Sequence, residues 1–314
     1  MILRLGQLPA GPDQQALWPQ LPPAPWHLEI GFGDGRFWQA HRLELGPTNY
    51  LGVELSGASL LRAHRRLARV ERVLLVQASA RSLLALAVRP GALQRIYVNF
   101  PDPWPKRHHL RHRLLQRDFF TLAASRLAQG GELWLSTDHP EYFTFALGEA
   151  QASGCFAARC VPAPEAASQT KYAAKWRALG RTLQHARLRR LPGSYPAPAP
   201  HPEGAAVPHS KVRLPSPLRL PESKQVYRSG RSVLILLGCF GNAEGSAFRL
   251  FFRSSEPDLE QDLLVKLEAR EGGTWLVSLD TFGSPLITPL AHQAVARATE
   301  LLLAAGGELL LAAY

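Results

Sequence analysis

Three glycines near the amino terminus form a pattern that is typical of a ligand-binding turn. Gly31, Gly33 and Gly35 alternate with other residues at the end of an apolar run, and the acidic Glu29 precedes them by two positions. Glycine permits a tight turn and a close approach of the backbone to a ligand. The dinucleotide pattern G-x-G-x-x-G would need a glycine where this chain has Arg36. The pattern therefore indicates a ligand loop of another type, with a purely structural turn as the alternative.

Two acidic residues indicate which ligand this loop could hold. The carboxylate of Glu29 would repel a pyrophosphate, but it suits a phosphate-free cofactor with a cationic amino acid end, a description that fits S-adenosylmethionine. Glu54 ends the next apolar run, 21 residues after Gly33. An acidic residue at that place hydrogen-bonds the ribose hydroxyls of an adenosine cofactor of either class. A surface acid or a helix cap is the alternative interpretation of Glu54.

A proline-framed segment places another acidic residue in a constrained loop. Asp102 lies between Pro101 and Pro103, and Trp104 and Pro105 follow. Three prolines at alternate positions fix φ and hold the loop extended, which is the preorganisation that a catalytic loop needs. The basic run that follows could grip phosphates, and its flat rings could stack on a base, although a solvated helix start is the alternative. The run contains Lys106, Arg107, Arg111, Arg113 and Arg117, with His108, His109 and His112 between them.

The charge of the chain indicates a polyanionic partner. The formal net charge is +11, and an excess of this size is typical of proteins that bind nucleic acid. Residues 1–190 contribute +12, residues 191–225 contribute +2 and residues 226–314 contribute −3. The basic surface is therefore expected on the first 190 residues. A second basic series, which could also be a solvated helix face, consists of Arg62, Arg65, Arg66, Arg69 and Arg72.

The elements that must position these residues alternate between strand and helix patterns. This alternation predicts βαβ units and a parallel sheet with helices on both faces, an α/β fold of the Rossmann-like type. Ligands of such sheets bind outside the carboxyl ends of the strands, where the glycine loop, Glu54 and Asp102 should meet. The predicted strands are Trp26–Gly31, Tyr50–Leu55, Val73–Gln77, Arg95–Phe100 and Glu132–Thr137, and the clearest helices are Ser59–Arg69 and Leu114–Leu127.

The remainder of the chain predicts a linker and a second domain. Nine prolines fall within residues 191–225, which is typical of a stiff, extended linker. Residues 226–314 read as a small accessory α+β domain with no motif for chemistry, and it could contact protein or the polyanionic partner. Its predicted strands are Val233–Phe240, Ala247–Arg253, Leu263–Glu268 and Thr274–Leu279, followed by a closing helix at His292–Ala305.

Several classes of protein are disfavoured by composition. No apolar run approaches the roughly 18–20 residues of a membrane span, and the amino terminus does not resemble a signal peptide. Cys155, Cys160 and Cys239 are too few and too poorly spaced for a disulfide framework or a metal site. We therefore expect a cytoplasmic protein without a bound metal.

The Asp102 segment resembles the signature of the tRNA (guanine-N7-)-methyltransferase family, which has the form Phe-Pro-Asp-Pro-Trp-x-Lys-x-x-His. The resemblance covers roughly residues 25–182, and it includes the turn Ser136–Asp138 and the segment Thr170–Tyr172. It implies a class I methyltransferase fold, S-adenosylmethionine as donor, and transfer to N7 of a guanine in tRNA, in the variable loop at position 46.

The resemblance also implies a role for individual residues. Ser79 stands where the family usually has Asp or Asn near the adenine, and Ala173 stands where the family has Glu, so these two positions depart from its pattern. Asp102 is implied as the active-site acid. The implied cofactor-binding residues are Glu29, Gly31, Gly33, Glu54, Ser79, Ala80 and Asn99, and the implied substrate-binding residues are Lys106, Asp138, Thr170 and Lys171.

The chemistry of the acceptor predicts what Asp102 would do. N7 of guanine carries a lone pair and no proton, so its methylation needs alignment and tolerance of developing positive charge, not a base. Asp102 is therefore expected to orient the guanine and stabilise the cationic product. Two alternatives remain open at this point: a methyltransferase for protein or small molecules, and a catalytically silent RNA-binding protein on the same fold.

Overall fold

The computed structural model describes residues 2–8, 21–169, 182–196, 206–214, 220 and 223–314. The chain divides into two compact units, residues 1–200 and 201–314. The strands of the first unit are β1 (Ile2–Arg4), β2 (Trp26–Ile30), β3 (Asn49–Glu54), β4 (Val73–Gln77), β5 (Leu93–Asn99), β6 (Leu127–Thr137), β7 (Phe156–Cys160) and β8 (Gln184–Arg190). Its helices are α1 (Arg36–His41), α2 (Gly57–Arg66), α3 (Ala80–Leu86), α4 (Arg117–Arg126), α5 (Pro140–Ser153) and α6 (Glu165–Ser168).

The described strands of the first unit form one sheet in the order β1-β4-β3-β2-β5-β6-β8-β7. The pairs from β1 to β6 are parallel, and β8 is antiparallel to both β6 and β7. The chain winds outward in both directions from β2, which pairs with β3 on one side and with β5 on the other. Such a reversal opens a crevice at the carboxyl ends of the two central strands, which is where open α/β sheets bind ligands.

The two faces of this sheet bury different kinds of side chain. One face packs aliphatic residues such as Leu28 and Ile96 against α3, α4 and α5. The other packs large aromatic residues, including Tyr50, Tyr97 and Trp134, against α1, α2 and α6. Alternation along the strands separates the two sets. The predicted α/β fold with helices on both faces is confirmed. The limits of strands β2 to β6 differ from the predictions by a few residues, whereas β1, β7 and β8 were not predicted.

Local capping explains why the helices of the first unit begin at the sheet edge. Ser56 and Ser79 each accept a hydrogen bond from a backbone N–H three residues later, at 3.3 and 3.0 Å. His139 caps α5 in the same way, with Pro140 as the first helical residue. Each cap follows the end of a strand, so the strand-to-helix turns collect polar groups at one edge.

The second unit is an antiparallel sheet with a helix on one face, as the α+β prediction requires. The described elements are β9 (His209–Arg213), β10 (Gln225–Ser229), β11 (Ser232–Gly241), β12 (Ala247–Glu256), β13 (Leu259–Arg270), β14 (Thr274–Leu279), α7 (Pro289–Ala304) and β15 (Glu308–Ala313). Among the described residues the strand order is β10-β11-β12-β13-β14-β9-β15. The long helix α7 packs Leu290, Val295 and Leu302 against this sheet.

The boundary between the units differs from the predicted linker at 191–225. His209–Arg213 lies in the second sheet between β14 and β15, so the prediction of a linker is wrong for these five residues. The strand is short, and it stands between Pro208 and Pro215 in a stretch that reads as a loop. Strand β15 was also not predicted. Among the described residues, no helix is long and apolar enough to cross a membrane.

Substitution of Gly52 tests the packing beneath the glycine loop. A Cβ atom at Gly52 would lie 2.7 Å from Cδ1 of Phe32 and 3.0 Å from Cδ2 of Leu75. We expect Gly52→Ala to lower the free energy of unfolding by about 1–3 kcal/mol, as overpacking does in other cores. Chemical denaturation measures this value. The control is Gly148→Ala in α5, where a Cβ meets nothing within 4 Å and should stabilise by about 0.5–1 kcal/mol; equal effects at both sites would contradict the packing.

Candidate active site

The glycine loop leaves β2 with a backbone that only glycine adopts easily. Gly31, Gly33 and Gly35 have φ angles of +68°, +58° and +79°, in the left-handed region. The Gly31 N–H donates to the carbonyl of Val53 at 2.9 Å, which fastens the loop to β3. A Cβ atom at Gly31 or Gly33 would meet nothing within 4 Å. The loop therefore presents bare backbone to open space, as a bound cofactor would require.

Glu54 positions this loop from the end of β3. One carboxylate oxygen accepts the Gly33 N–H at 3.2 Å, and the other accepts the Ser56 N–H at 2.9 Å. A carboxylate oxygen can accept more than one hydrogen bond, so Glu54 can hold the loop and still accept from ribose hydroxyls. The sequence predicted the second role but not the first.

An ion-pair network holds the other side of the loop. The Asp34 carboxylate lies 3.0 Å from Nε of Arg36 and 3.3 Å from a terminal nitrogen of Arg66, whose Nε also donates to the Asp34 carbonyl at 2.9 Å. Arg72 donates to the Pro22 carbonyl at 2.8 Å. Arg66 and Arg72 therefore make contacts within the protein, and the prediction that the 62–72 series helps to hold RNA stays a prediction.

Glu29 is the buried acid of the site. Glu29 is the last residue but one of β2. Its side chain is 1% exposed and accepts a hydrogen bond from the Tyr50 hydroxyl at 2.7 Å. Burial raises the pKa of Glu29 to about 8, an effect that the nearby Tyr50 and Asn99 side chains oppose. The carboxyl is therefore largely uncharged at neutral pH, and a cation placed beside it would favour its ionised form.

Asn99 ends β5, the strand beside β2, and therefore lies across the crevice from Glu29. Its amide nitrogen is buried, and it lies close enough to the Glu29 carboxyl to lower the pKa of that group through a side-chain hydrogen bond. The geometry of this contact falls outside the normal limits of a hydrogen bond, so the amide can still donate to a ligand oxygen. Two of the predicted cofactor residues thus meet at the crevice.

Ser79 and Ala80 lie at the same edge of the sheet, after β4. The Ser79 hydroxyl accepts the Ser82 N–H at 3.0 Å and shares a hydrogen bond of 2.6 Å with the Ser82 hydroxyl. It thus acts as a helix cap, a role that the sequence comparison with the family pattern did not indicate. Ala80 begins α3 and is 9% exposed, so its contribution to a ligand site would come from the backbone.

The Asp102 loop begins at the end of β5 and is strained at both ends. Phe100 and Trp104 have positive φ angles of 52° and 42°, which cost about 1–3 kcal/mol each in a residue other than glycine. The Phe100 N–H donates to the Ser136 carbonyl at 2.8 Å, which ties the loop to β6. Asp102 itself is exposed. The strained frame therefore presents this carboxylate to solvent at the edge where Asn99 ends β5.

Arg113 supports the Asp102 loop from beneath. Its side chain is 6% exposed, and its Nε donates to the Pro103 carbonyl at 2.8 Å. The guanidinium lies 4.6 Å from the ring centre of Phe145 and 5.3 Å from that of Tyr142, both on α5. The prediction that Arg113 grips phosphates is therefore wrong, because the residue is buried between the loop and α5.

The exposed part of the basic run has a different arrangement. The Trp104 ring lies 5.4 Å from the ring of His109 and 5.2 Å from that of His112, measured between ring centres. Lys106 and Arg111 are exposed beside this aromatic group. These residues remain available for the phosphate and base contacts that the sequence predicts.

Of the remaining predicted substrate-binding residues, the structure describes only Asp138. Asp138 follows β6 and is half-buried at the same edge of the sheet. Thr170 and Lys171 lie outside the described residues. No group of three or more His, Cys, Asp or Glu side chains within the described residues could hold a metal ion.

The two carboxyl groups of the site have opposite environments, and this determines what each can do. Glu29 is buried and mostly uncharged, so it suits a cationic ligand, whereas the exposed Asp102 can reach a second molecule at the mouth of the crevice. The supporting roles of Tyr50 and Arg113 were missed from the sequence, because neither residue belongs to a recognisable spacing. The arrangement can bring a nucleoside-type cofactor and an acceptor to one edge.

The buried Glu29 makes the stability of the ligand-free protein depend on pH. Its folded pKa of about 8 lies above the ordinary value of 4.5, so the folded state holds this proton more tightly than the unfolded state. The stability from this group is therefore complete below about pH 4.5 and is lost as the pH rises through 8. Because Gln stays uncharged, Glu29→Gln should match the wild-type melting temperature at pH 5 and exceed it at pH 9.

Thermal melts from pH 5 to pH 9 measure this difference. The exposed Glu141 provides the control, since Glu141→Gln should shift the melting temperature by a constant amount over the same range. A difference for the Glu29 variant that does not grow with pH would contradict the raised pKa.

Substitution of Arg113 tests the support of the Asp102 loop. Arg113→Gln removes a charged donor to Pro103, so we expect a stability loss of about 2 kcal/mol and a lower kcat for the methyl transfer that the Asp102 segment implies. The salt dependence of the affinity for the implied RNA substrate should stay unchanged, because the buried guanidinium releases no counterion. Arg111→Gln, at an exposed position, should weaken the salt dependence and leave stability and kcat nearly unchanged. A weakened salt dependence in the Arg113 variant would show instead that Arg113 contacts phosphate.

Comparison with known proteins is consistent with the site. A family model described as "Putative methyltransferase" matches residues 23–186. The tRNA (guanine-N(7)-)-methyltransferase of Deinococcus radiodurans is 44% identical over 310 residues, which covers 96% of each chain. The protein of the same name from Thermus thermophilus is 40% identical over 273 residues, or 86% of each chain. The resemblance carried by the Asp102 segment is thus confirmed: the chain belongs to the tRNA (guanine-N(7)-)-methyltransferase family.

Proposed function

We propose that this protein transfers the methyl group of S-adenosylmethionine to N7 of a guanine in the variable loop of tRNA. The observation that carries the proposal is the Asp102 loop, which is strained, supported by Arg113, and held at the crevice beside Glu29 and Asn99. In a member of this family, that arrangement places an exposed acid next to a site with the features of a nucleoside cofactor site.

The residues of the crevice fit S-adenosylmethionine. Bare backbone at Gly31 and Gly33 leaves room for the cofactor, and the Glu54 carboxylate would accept from its ribose hydroxyls. Glu29 would lie beside its cationic amino acid end, where a positive charge favours the ionised carboxylate. Asn99 would share its amide nitrogen between Glu29 and an oxygen of the cofactor. When bound, S-adenosylmethionine supplies an electrophilic methyl group.

The adenine end of the cofactor site is supported less directly. Ser79 and Ala80 begin α3 at the same edge of the sheet, and the backbone N–H of Ala80 is the group that we assign to the adenine. The Ser79 hydroxyl is occupied as a cap, so its contribution would be a shared hydrogen bond.

The acceptor chemistry requires orientation more than proton removal. N7 of guanine is a neutral lone-pair donor, and methylation leaves a positive charge on the purine. Asp102 would accept from N1–H and N2–H of the base, hold N7 in line, and stabilise the charge that develops. An exposed carboxylate that only has to accept hydrogen bonds is suited to this role.

The RNA must present an accessible N7 to this edge. The deep major groove of an A-form helix hides N7, so a loop or distorted junction such as the variable loop is the natural target. Lys106 and Asp138 lie where they could contact the substrate, and we assign Thr170 and Lys171 to the same role from the family pattern. Because the substrate is tRNA, we place the reaction in the cytoplasm.

Chemical mapping of methylated tRNA tests the proposal directly. Purified enzyme, S-adenosylmethionine and unmodified tRNA should yield a product that is cleaved at 7-methylguanosine by reduction and aniline treatment, at the variable loop. Cleavage elsewhere would correct the position, and methylated tRNA without cleavage would refute the N7 assignment. Cofactor binding and RNA binding without methylation would favour a catalytically silent RNA-binding protein.

Substitution of Asp102 tests its role in the same assay. Asp102→Ala should reduce turnover by at least about 100-fold, the scale of losing one electrostatic stabiliser, while the affinity for S-adenosylmethionine stays within about twofold. The control variant Asp118→Ala removes an exposed acid on α4, which forms an ion pair with Arg81 on α3 at 2.7 Å. This variant should retain activity. Full activity of the Asp102 variant would contradict the assignment.

A further inference from the structure

The antiparallel edge of the first sheet carries a group of arginines that the proposed site does not use. Arg187 and Arg189 stand two residues apart on β8, so they share one face. Arg159 on β7 lies directly opposite Arg187 in the register of the two strands. All three side chains are exposed. We call Arg159, Arg187 and Arg189 the edge arginines.

The edge arginines have no ion-pair partner among the residues that the structure describes. Like charges directly opposite each other destabilise a strand pair, yet Arg159 faces Arg187. None of the ion pairs formed by the described residues includes an edge arginine. Glu132 lies opposite Arg189, but one of its oxygens accepts the Trp134 indole N–H at 2.7 Å. The patch therefore keeps unpaired positive charge at the surface.

The guanidinium of Arg187 is held in place by a ring. Its central carbon lies 4.1 Å from the centre of the Trp134 indole, and that of Arg95 on β5 lies 4.4 Å from the same centre. Trp134 is 5% exposed, so it forms a fixed platform between the two arginines. Stacking holds a guanidinium plane but leaves its N–H edge free, and that edge matches the oxygens of a phosphate.

The patch is on the same face of the sheet as the candidate active site. Trp134 and Ser136 are two residues apart on β6 and point to the same face, about 7 Å apart along the strand. The Ser136 carbonyl binds the first residue of the Asp102 loop. A structured RNA that reaches Asp102 with one guanine therefore passes within reach of the edge arginines.

We infer that Arg159, Arg187 and Arg189 form a docking surface for backbone phosphates of the tRNA body, separate from the residues that hold the guanine. The inference rests on the proposed function, because it takes tRNA as the substrate. Charge complementarity selects this occupant: three exposed guanidiniums, two of them directly opposed, would be stabilised by a polyanion, whereas Glu132 lies opposite Arg189 alone.

A double variant with a matched control tests the inference. Arg159→Gln/Arg187→Gln removes two edge charges, while Arg228→Gln/Arg231→Gln removes two exposed arginines of the second unit and lowers the net charge equally. Binding of bulk unmodified tRNA is measured from 50 to 250 mM KCl, together with methylation kinetics and melting temperature.

For the edge variant, the slope of log Kd against log KCl concentration should fall by about 1.5, since each lost phosphate contact removes about 0.7–0.9. The KM for tRNA should rise roughly tenfold at 150 mM KCl. The kcat at saturating tRNA and the affinity for S-adenosylmethionine should stay within about twofold. The melting temperature should stay equal or rise, because a repulsive pair is removed.

Three results would overturn the inference. An unchanged slope and KM would show that RNA does not touch the patch. An equal loss in the control variant would show a response to net charge alone. A lower melting temperature with weaker cofactor binding would show a structural role. The single variant Arg189→Gln would check this, because it leaves the stacking of Arg187 on Trp134 intact.

The same measurements distinguish this inference from the proposed function. If the wild-type protein does not methylate tRNA, the proposed function fails before any variant is compared. If the wild-type protein methylates tRNA and the edge variant binds like it, only the docking surface is refuted.

Discussion

The burial of a carboxyl group at the end of β2 is the constraint on which the rest of the site depends. Glu29 is 1% exposed and is held by the Tyr50 hydroxyl, so its charged form is disfavoured until a cation is near. The bare backbone of Gly31 and Gly33 leaves open space at the same edge of the sheet, and Glu54 fixes the position of the loop through the Gly33 N–H.

The second half of the site answers a different demand. Asp102 has to meet a large substrate, so it must be exposed and yet fixed. The conformation of its loop costs free energy, because Phe100 and Trp104 both adopt a positive φ. The loop therefore needs support from outside to stay in place. The neighbouring structure supplies this support through the hydrogen bond from Arg113 to Pro103 and the packing of that guanidinium against Phe145. A buried cation thus supports an exposed anion.

The division between what could and could not be predicted from the sequence follows the range of the interactions. Apolar runs and the Gly31 loop are local patterns, and they predicted the first sheet and its ligand edge. The burial of Arg113 is a tertiary property: within a run of basic residues it looks like its exposed neighbour Arg111. The strand His209–Arg213 was missed for the same reason, since only its pairing with distant strands overrides the loop-like prolines around it.

This distinction changes how the net charge of +11 should be interpreted. Several arginines of the first unit donate hydrogen bonds to backbone carbonyls of the protein itself. Each such contact satisfies an acceptor that would otherwise need water. Arg126 donates to Leu84 at 2.7 Å, and Arg190 donates to Ala124 at 2.9 Å. The charge that can act on RNA is therefore smaller than the composition suggests and more localised. Among the described residues it includes the exposed Arg62, Arg65 and Arg69, the Asp102 loop and the antiparallel edge of the sheet.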